Sequence, residues 1–284
     1  MIELRNVQVL RSKRAILQDI TLRIHPGEVS VIIGMNGAGK SSLVRLLSGE
    51  WKPDAGTLLW KGKPLSDLKA SESATFRATV PQQSDLRFNF TVREVVEMGR
   101  FPHRKTCASL NQKRIEQALE DVELLDRAES IATTLSGGEK KRMLLARALV
   151  QLSEARDVGE GILLLDEPTA HLDLHHQEKL LERMRSYASE GLTVIAVLHD
   201  LNHAARIADQ LILLHQGYLL EAGPVSRAMH PERLSTIFGV QLKKITLPGQ
   251  APQWITLPSP LSNSSTYVKP LIQTKAPYDY VTST

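Results

Sequence analysis

A single cysteine, Cys107, stands in 284 residues. No internal disulfide can form, and a reducing cytosol suits such a chain. Long apolar runs are missing as well. The longest, such as Ile162–Leu165 and Val194–Leu198, are strand-sized and far short of the roughly 18 residues that cross a bilayer. The first residues, Met1-Ile2-Glu3-Leu4-Arg5, lack the basic-then-apolar layout of a signal peptide and alternate as a strand does. A soluble protein that stays in the compartment where it is made is expected. Strong charge of either sign is absent too. A net of +4 leaves nucleic acid or an anionic membrane surface open, but an excess this small is most often a solvated surface.

What remains is ordinary globular composition, 42% hydrophobic and 23% charged, in a chain long enough for one large domain with a subdomain. Residues 2–9 and 20–24 read as strands around a polar turn at Arg11 to Arg14. Glu28 to Ile33 reads as a buried strand running into a glycine loop, with a helix over Lys40 to Ser48. Strands follow at Thr57 to Trp60 and at Ala78 to Val80, the second ending at Pro81. From about Gln83 to Thr134 the pattern is helical, over Val92 to Met98 and Ile115 to Leu125, with no convincing strand. Alternation of strand and helix then returns at Ile162–Asp166, Leu174–Tyr187, Leu192–Leu198, Leu201–Ala208 and Gln210–His215. An open α/β sheet interrupted by a helical insert is the natural reading. After about Leu242 the composition changes again, and six of the fourteen prolines fall in the last 43 residues, among Ser and Thr. Such a tail resists helix and central strand alike, leaving both an extended strand-and-turn appendage and partial disorder open.

Gly34-Met35-Asn36-Gly37-Ala38-Gly39-Lys40-Ser41 matches a phosphate-binding P-loop between a strand and a helix. Glycines let backbone N–H groups wrap a phosphate, and the helix start adds its positive end. Lys40 supplies a point charge, and Ser41, followed by Ser42, a hydroxyl for Mg2+. Ile162-Leu163-Leu164-Leu165-Asp166-Glu167 is an apolar strand ending in two carboxylates, at the sheet edge where α/β proteins bind ligands. Asp166 is expected to hold Mg2+ and Glu167 to take a proton from the attacking water. An acidic helix cap would be the plainer alternative for the pair. Leu135-Ser136-Gly137-Gly138-Glu139 opens a further helix with exposed amides, a second anion site.

With this pentapeptide, the P-loop, Gln82, Asp166–Glu167 and His199 in order, the chain resembles the ATP-binding cassette (ABC) ATPases over roughly residues 2 to 240. The resemblance implies a P-loop NTPase with a RecA-like parallel-sheet core, an N-terminal antiparallel β subdomain and a helical signature subdomain. The ATPase domain would span 1–240, with a core of about 1–82 and 162–240 and the helical part at about 83–150, before a tail at 241–284. It also implies a homodimer binding ATP and Mg2+ between two copies, with Ser136, Gly137, Gly138 and Glu139 of one reaching the nucleotide on the other. Gln82 would ligate Mg2+ or the attacking water. His199 would touch the γ-phosphate, and Asp173, in the loop exchanged between subunits, would shape the partner's water site. His175 and His176 lack metal-ligand spacing and read as helix surface. One departure stands out: no Phe, Tyr or Trp precedes Trp51, whereas the family stacks an aromatic on adenine from the first strand's loop. Arg11 occupies the equivalent place, and its guanidinium can stack on a base.

No membrane span, zinc motif, coiled-coil arm or second cassette is fused to the chain, which favours the separate ATPase of an importer. Phe88 to Glu94 and Met98 to His103 resemble ATPases that import iron chelates, cobalamin and haem. Ala146 to Leu152, the polar stretch Ser153 to Gly161 and Leu172 to Gln177 look closest to the haem importers. Two copies of a permease, indirectly a periplasmic haem-binding protein, and a place on the cytoplasmic face of the inner membrane are implied, without nucleic acid. Iron–siderophore or cobalamin import, or a soluble ABC machine acting on nucleic acid or ribosomes, are the alternatives.

Overall fold

The structure is a computed structural model that describes residues 1–82, 89–103, 105–170, 172–246 and 252–257. Gln83, Phe88, His171, Tyr267, Tyr278 and Tyr280 lie outside the described residues. Strands β1 (Ile2–Arg11) and β2 (Arg14–Ile24) form a hairpin. The polar turn expected over Arg11 to Arg14 is tighter than that. Only Ser12 and Lys13 stand outside the ladder, both at positive φ, which is the two-residue geometry that matches strand twist. Next come β3 (Val29–Ile33), α1 (Lys40–Leu47), β4 (Ala55–Trp60), the two-residue β5 (Lys63–Pro64), α2 (Ala70–Ser73) and β6 (Arg77–Val80). β2, β1, β4 and β5 make an antiparallel sheet in that order.

The helical stretch holds α3 (Val92–Glu97), α4 (Ala108–Asp121), α5 (Gly137–Gln151) and α6 (Ser153–Asp157). α4 begins seven residues before the apolar period shows itself, because its first turns, Ala108-Ser109-Leu110-Asn111, are largely exposed. A lone bridge between Thr91 and Ile131 is the only β pairing among its described residues. The polar stretch after Leu152 is partly helical. Here the buried Arg100 of the turn Met98–His103 donates to Asn111 Oδ1 (2.7 Å), the Val150 carbonyl (2.8 Å) and both oxygens of Glu154 (2.8 and 2.5 Å). One guanidinium thus joins the turn, α4 and the α5–α6 junction.

Alternation follows with β7 (Ile162–Asp166), α7 (Leu174–Ser189), β8 (Thr193–Val197), α8 (Leu201–Ile207), β9 (Gln210–His215) and β10 (Tyr218–Gly223). Helices α9 (Val225–Ala228) and α10 (Pro231–Phe238) and a hairpin of β11 (Gln241–Ile245) with β12 (Gln253–Leu257) close the described chain. The second sheet runs β10-β9-β3-β8-β7-β6, parallel except at the β10 edge. Its inner strands β3, β8 and β7 are largely apolar because both faces are covered. Val31, Leu163, Leu165, Val194 and Leu211 join α3, α4, α5, α7 and α8 in one core. Their neighbours Ile32, Ile162, Leu164, Ile195 and Ile212 join α1 and the antiparallel sheet in the other. This period of two fixes the register, since a one-residue slip would exchange the two cores.

Candidate active site

Parallel strands β3, β8, β7 and β6 are neighbours, so the loops that leave their C-terminal ends meet along one edge. After β3 the chain turns at Gly34, φ +153°, where a Cβ would run into the Leu214 carbonyl. Gly39, φ +100°, caps α1 with left-handed backbone, and a Cβ there would stand 2.9 Å from Leu17 Cδ2. Neither position admits a side chain without strain. Asn36 and Gly37 are exposed at the loop's tip, Ala38 is buried beneath it, and Ser42 follows in α1. The first amides of α1 have no intrahelical acceptor and carry its positive end, which suits an anion. Lys40 Nζ, itself buried, donates to the carbonyls of Gly34 (2.9 Å) and Met35 (3.0 Å). Burial lowers its pKa, against the opposing pull of Glu167 and Asp166. Ser41 Oγ donates to Asp166 Oδ1 at 3.4 Å, and burial raises the Asp166 carboxyl above the usual range.

Glu167 follows β7 with φ +51°, an uncommon conformation for a residue with a side chain and one that active sites retain. Its Oε2 accepts from Gln82 Nε2 at 2.6 Å, and its Oε1 lies 2.6 Å from His199 Nε2. The ends of β6, β7 and β8 are therefore tied at one carboxylate. Its carbonyl accepts from Lys141 Nζ at 2.8 Å, a contact that sequence reasoning missed. Nothing local marks Lys141, because its partner is 26 residues away. Burial also lowers the Lys141 pKa. A carboxylate so held, beside a phosphate loop, can take a proton from water.

Ser136 caps α5, with its hydroxyl accepting from Glu139 N (3.3 Å) and the Glu139 carboxylate accepting from Ser136 N (2.8 Å). This capping box leaves the Ser136 O–H free to donate and Ser136 and Gly137 exposed, while Gly138 lies against Leu172. Glu139 is committed to that box, and its bonds to Ser136 hold its pKa down. Asp173 caps α7, accepting from His176 N at 2.9 Å and meeting His176 Nδ1 at 2.9 Å. Among the described residues no group of three or more His, Cys, Asp and Glu is arranged to hold a metal ion. Arg11 packs its guanidinium 4.0 Å from the centre of the Trp51 ring and 3.7 Å from Asp54. In this arrangement it stacks on a residue of the chain itself.

A parallel sheet with a phosphate loop, a strand-end carboxylate pair and a capped Ser-Gly-Gly helix defines a P-loop ATPase of the cassette type. A family profile described as ABC transporter matches residues 17–170, and the chain belongs to that family. Over 242 residues, 85% of this chain and 88% of the relative, it is 44% identical to the hemin import ATP-binding protein HmuV of Gloeobacter violaceus. It superposes with TM-score 0.75 and 25% identity on an inward-facing ABC transporter described as metal-chelate type, covering 90% of this chain and 96% of that one. With the dimeric structure of a bacterial ABC transporter cassette the score is 0.69 at 29% identity, over 79% of this chain and 99% of that one. The chain is thus an ATP-binding, ATP-hydrolysing cassette.

Proposed function

We propose that this cassette works as a homodimer on the cytoplasmic face of the inner membrane, where ATP hydrolysis powers haem import through two copies of a separate permease. The tie of Gln82 and His199 to Glu167 carries the hydrolytic part of this reading. The 44% identity to a hemin import protein supports the cargo. No described helix is long and apolar enough to cross a membrane.

In this reading the P-loop amides and Lys40 hold the phosphates. Ser41 and Asp166, which already touch, offer the oxygen donors that a hard Mg2+ takes. When bound, the ion neutralises charge that develops on the phosphates. Glu167 accepts the proton of the attacking water, His199 meets the γ-phosphate, and Gln82 links the site to the helical insert. The exposed Ser136 and Gly137, with Gly138, reach the nucleotide held by the second copy, and Asp173 shapes that copy's water site. The domain limits at residue 240 and around 83–150 belong to the same reading. Similarity to a metal-chelate-type transporter favours iron–siderophore or cobalamin import as the second reading.

The test is ATPase activity of the chain reconstituted with the permease encoded nearest to it, with and without a periplasmic binding protein loaded with haem. Stimulation by haem but not by ferric siderophore or cobalamin is expected. Stimulation by another cargo would overturn the haem reading and keep the mechanism, and no response to any permease would overturn both.

A further inference from the structure

Hydrolysis at Glu167 makes no direct use of the hairpin β11–β12, yet the hairpin is fastened to the helix that begins just after His199. Asp200, the next residue, caps α8, its Oδ1 accepting from Asn202 N (2.7 Å) and His203 N (3.0 Å). Asn202 in that first turn then pairs with the backbone of Trp254 in both directions. Its Oδ1 accepts from Trp254 N at 2.7 Å and its Nδ2 donates to the Trp254 carbonyl at 3.2 Å. Backbone N–H only donates and carbonyl only accepts, so the amide has one orientation that satisfies both. Trp254 is 4% exposed, inside the core that also holds Ala204, Ile207 and Leu234. Its ring N–H has no partner, so the ring contributes packing while the backbone sets direction. The other strand is held as well, with Leu242 N donating to Ser235 Oγ of α10 at 2.9 Å.

His199 needs such support. Its side chain is 47% exposed, and among the described residues its polar contact is with Glu167. The far end of α8 is fixed separately, by Arg206 on Glu178 of α7 at 2.5 Å. We infer that Asn202 and the β11–β12 hairpin form a clamp that positions His199 for ATP hydrolysis. Asn202 is a positioning residue here: it acts through the first turn of α8 and touches no reacting atom. The inference rests on the role given to His199 above.

The test is a double-mutant cycle on the full-length chain, with kcat normalised to folded protein. Asn202→Ala should lower kcat about tenfold, the size of a small misplacement of a catalytic group, with KM for ATP within about twofold. Asn202→Asp keeps the acceptor for Trp254 N and should fall between. Trp254→Phe keeps the backbone pair and most of the packing, and should stay near wild type. In a His199→Ala background, Asn202→Ala should add nothing. Full additivity in that cycle would overturn the clamp, as would a lowered kcat for His199→Ala beside a normal kcat for Asn202→Ala. A normal kcat for His199→Ala would instead remove the reading on which the clamp rests.

Discussion

Arg100→Met removes the charge and the fork of donors from a site where the residue is 5% exposed, while keeping most of the length of the side chain. What it orphans can be read off. Asn111 Oδ1 loses a partner at 2.7 Å, and Glu154 loses both of its Arg100 bonds. The Val150 carbonyl keeps a bond from Ser153 Oγ at 2.9 Å. Breaking a buried ion pair costs about 3–5 kcal/mol. Glu154 is a third exposed and retains Arg114 at 2.7 Å and His103 at 3.3 Å, so the lower end, about 3 kcal/mol, is expected. Burial by itself would raise the Glu154 carboxyl, but the Arg100 bond, the backbone and Ser153 overcome it and bring the pKa to about 2. A carboxyl lowered on folding stabilises fully above its unfolded value near 4.5, and loses that contribution as pH falls toward about 2. Discounted for exposure, this share is about 1–2 kcal/mol. Urea unfolding should therefore show a lower midpoint with unchanged slope at about pH 6, and a narrower gap to wild type at about pH 3. A loss below about 1 kcal/mol, or a gap that ignores pH, would show that the guanidinium is not the fastening described.

Two further expectations test the site and its coupling. Glu167→Gln preserves shape and should lower kcat by at least about 100-fold, while ATP still binds and holds two copies together in size-exclusion chromatography. A variant that hydrolyses normally and stays monomeric would remove Glu167 from its role. Phe101, 67% exposed on the turn that Arg100 fastens, should tolerate Ala within about 0.5 kcal/mol and keep basal ATPase. The same change, or Phe90→Ala, should weaken stimulation by the permease, since exposed aromatics gather at interfaces; lost folding or lost basal ATPase would make these rings packing residues instead.

The parts legible in the sequence are those set by spacing along the chain. Apolar runs ending at Gly34, Asp166 and His199 mark strand ends, because a strand buried on both faces is largely apolar and stops where the chain turns polar. The capping box at Ser136 and Glu139 is likewise local. Periodicity says which face a residue takes but not what it meets, so Lys141 on Glu167, Arg100 on Glu154 and Asn202 on Trp254 were silent, at separations of 26, 54 and 52 residues. Gln82 was found through family resemblance alone, since an exposed Gln after a short strand carries no pattern of its own.

The tail shows the same limit from the other side. Its prolines argue against helix, but the strands Gln241–Ile245 and Gln253–Leu257 contain none of them. Composition averaged over the segment hides them. What makes the hairpin stay is a tertiary fact, the burial of Trp254 against α8 and α10, since an isolated two-stranded hairpin is marginal in water. A hairpin held against both α8 and α10 joins the last described strand of the chain to the helix that follows His199.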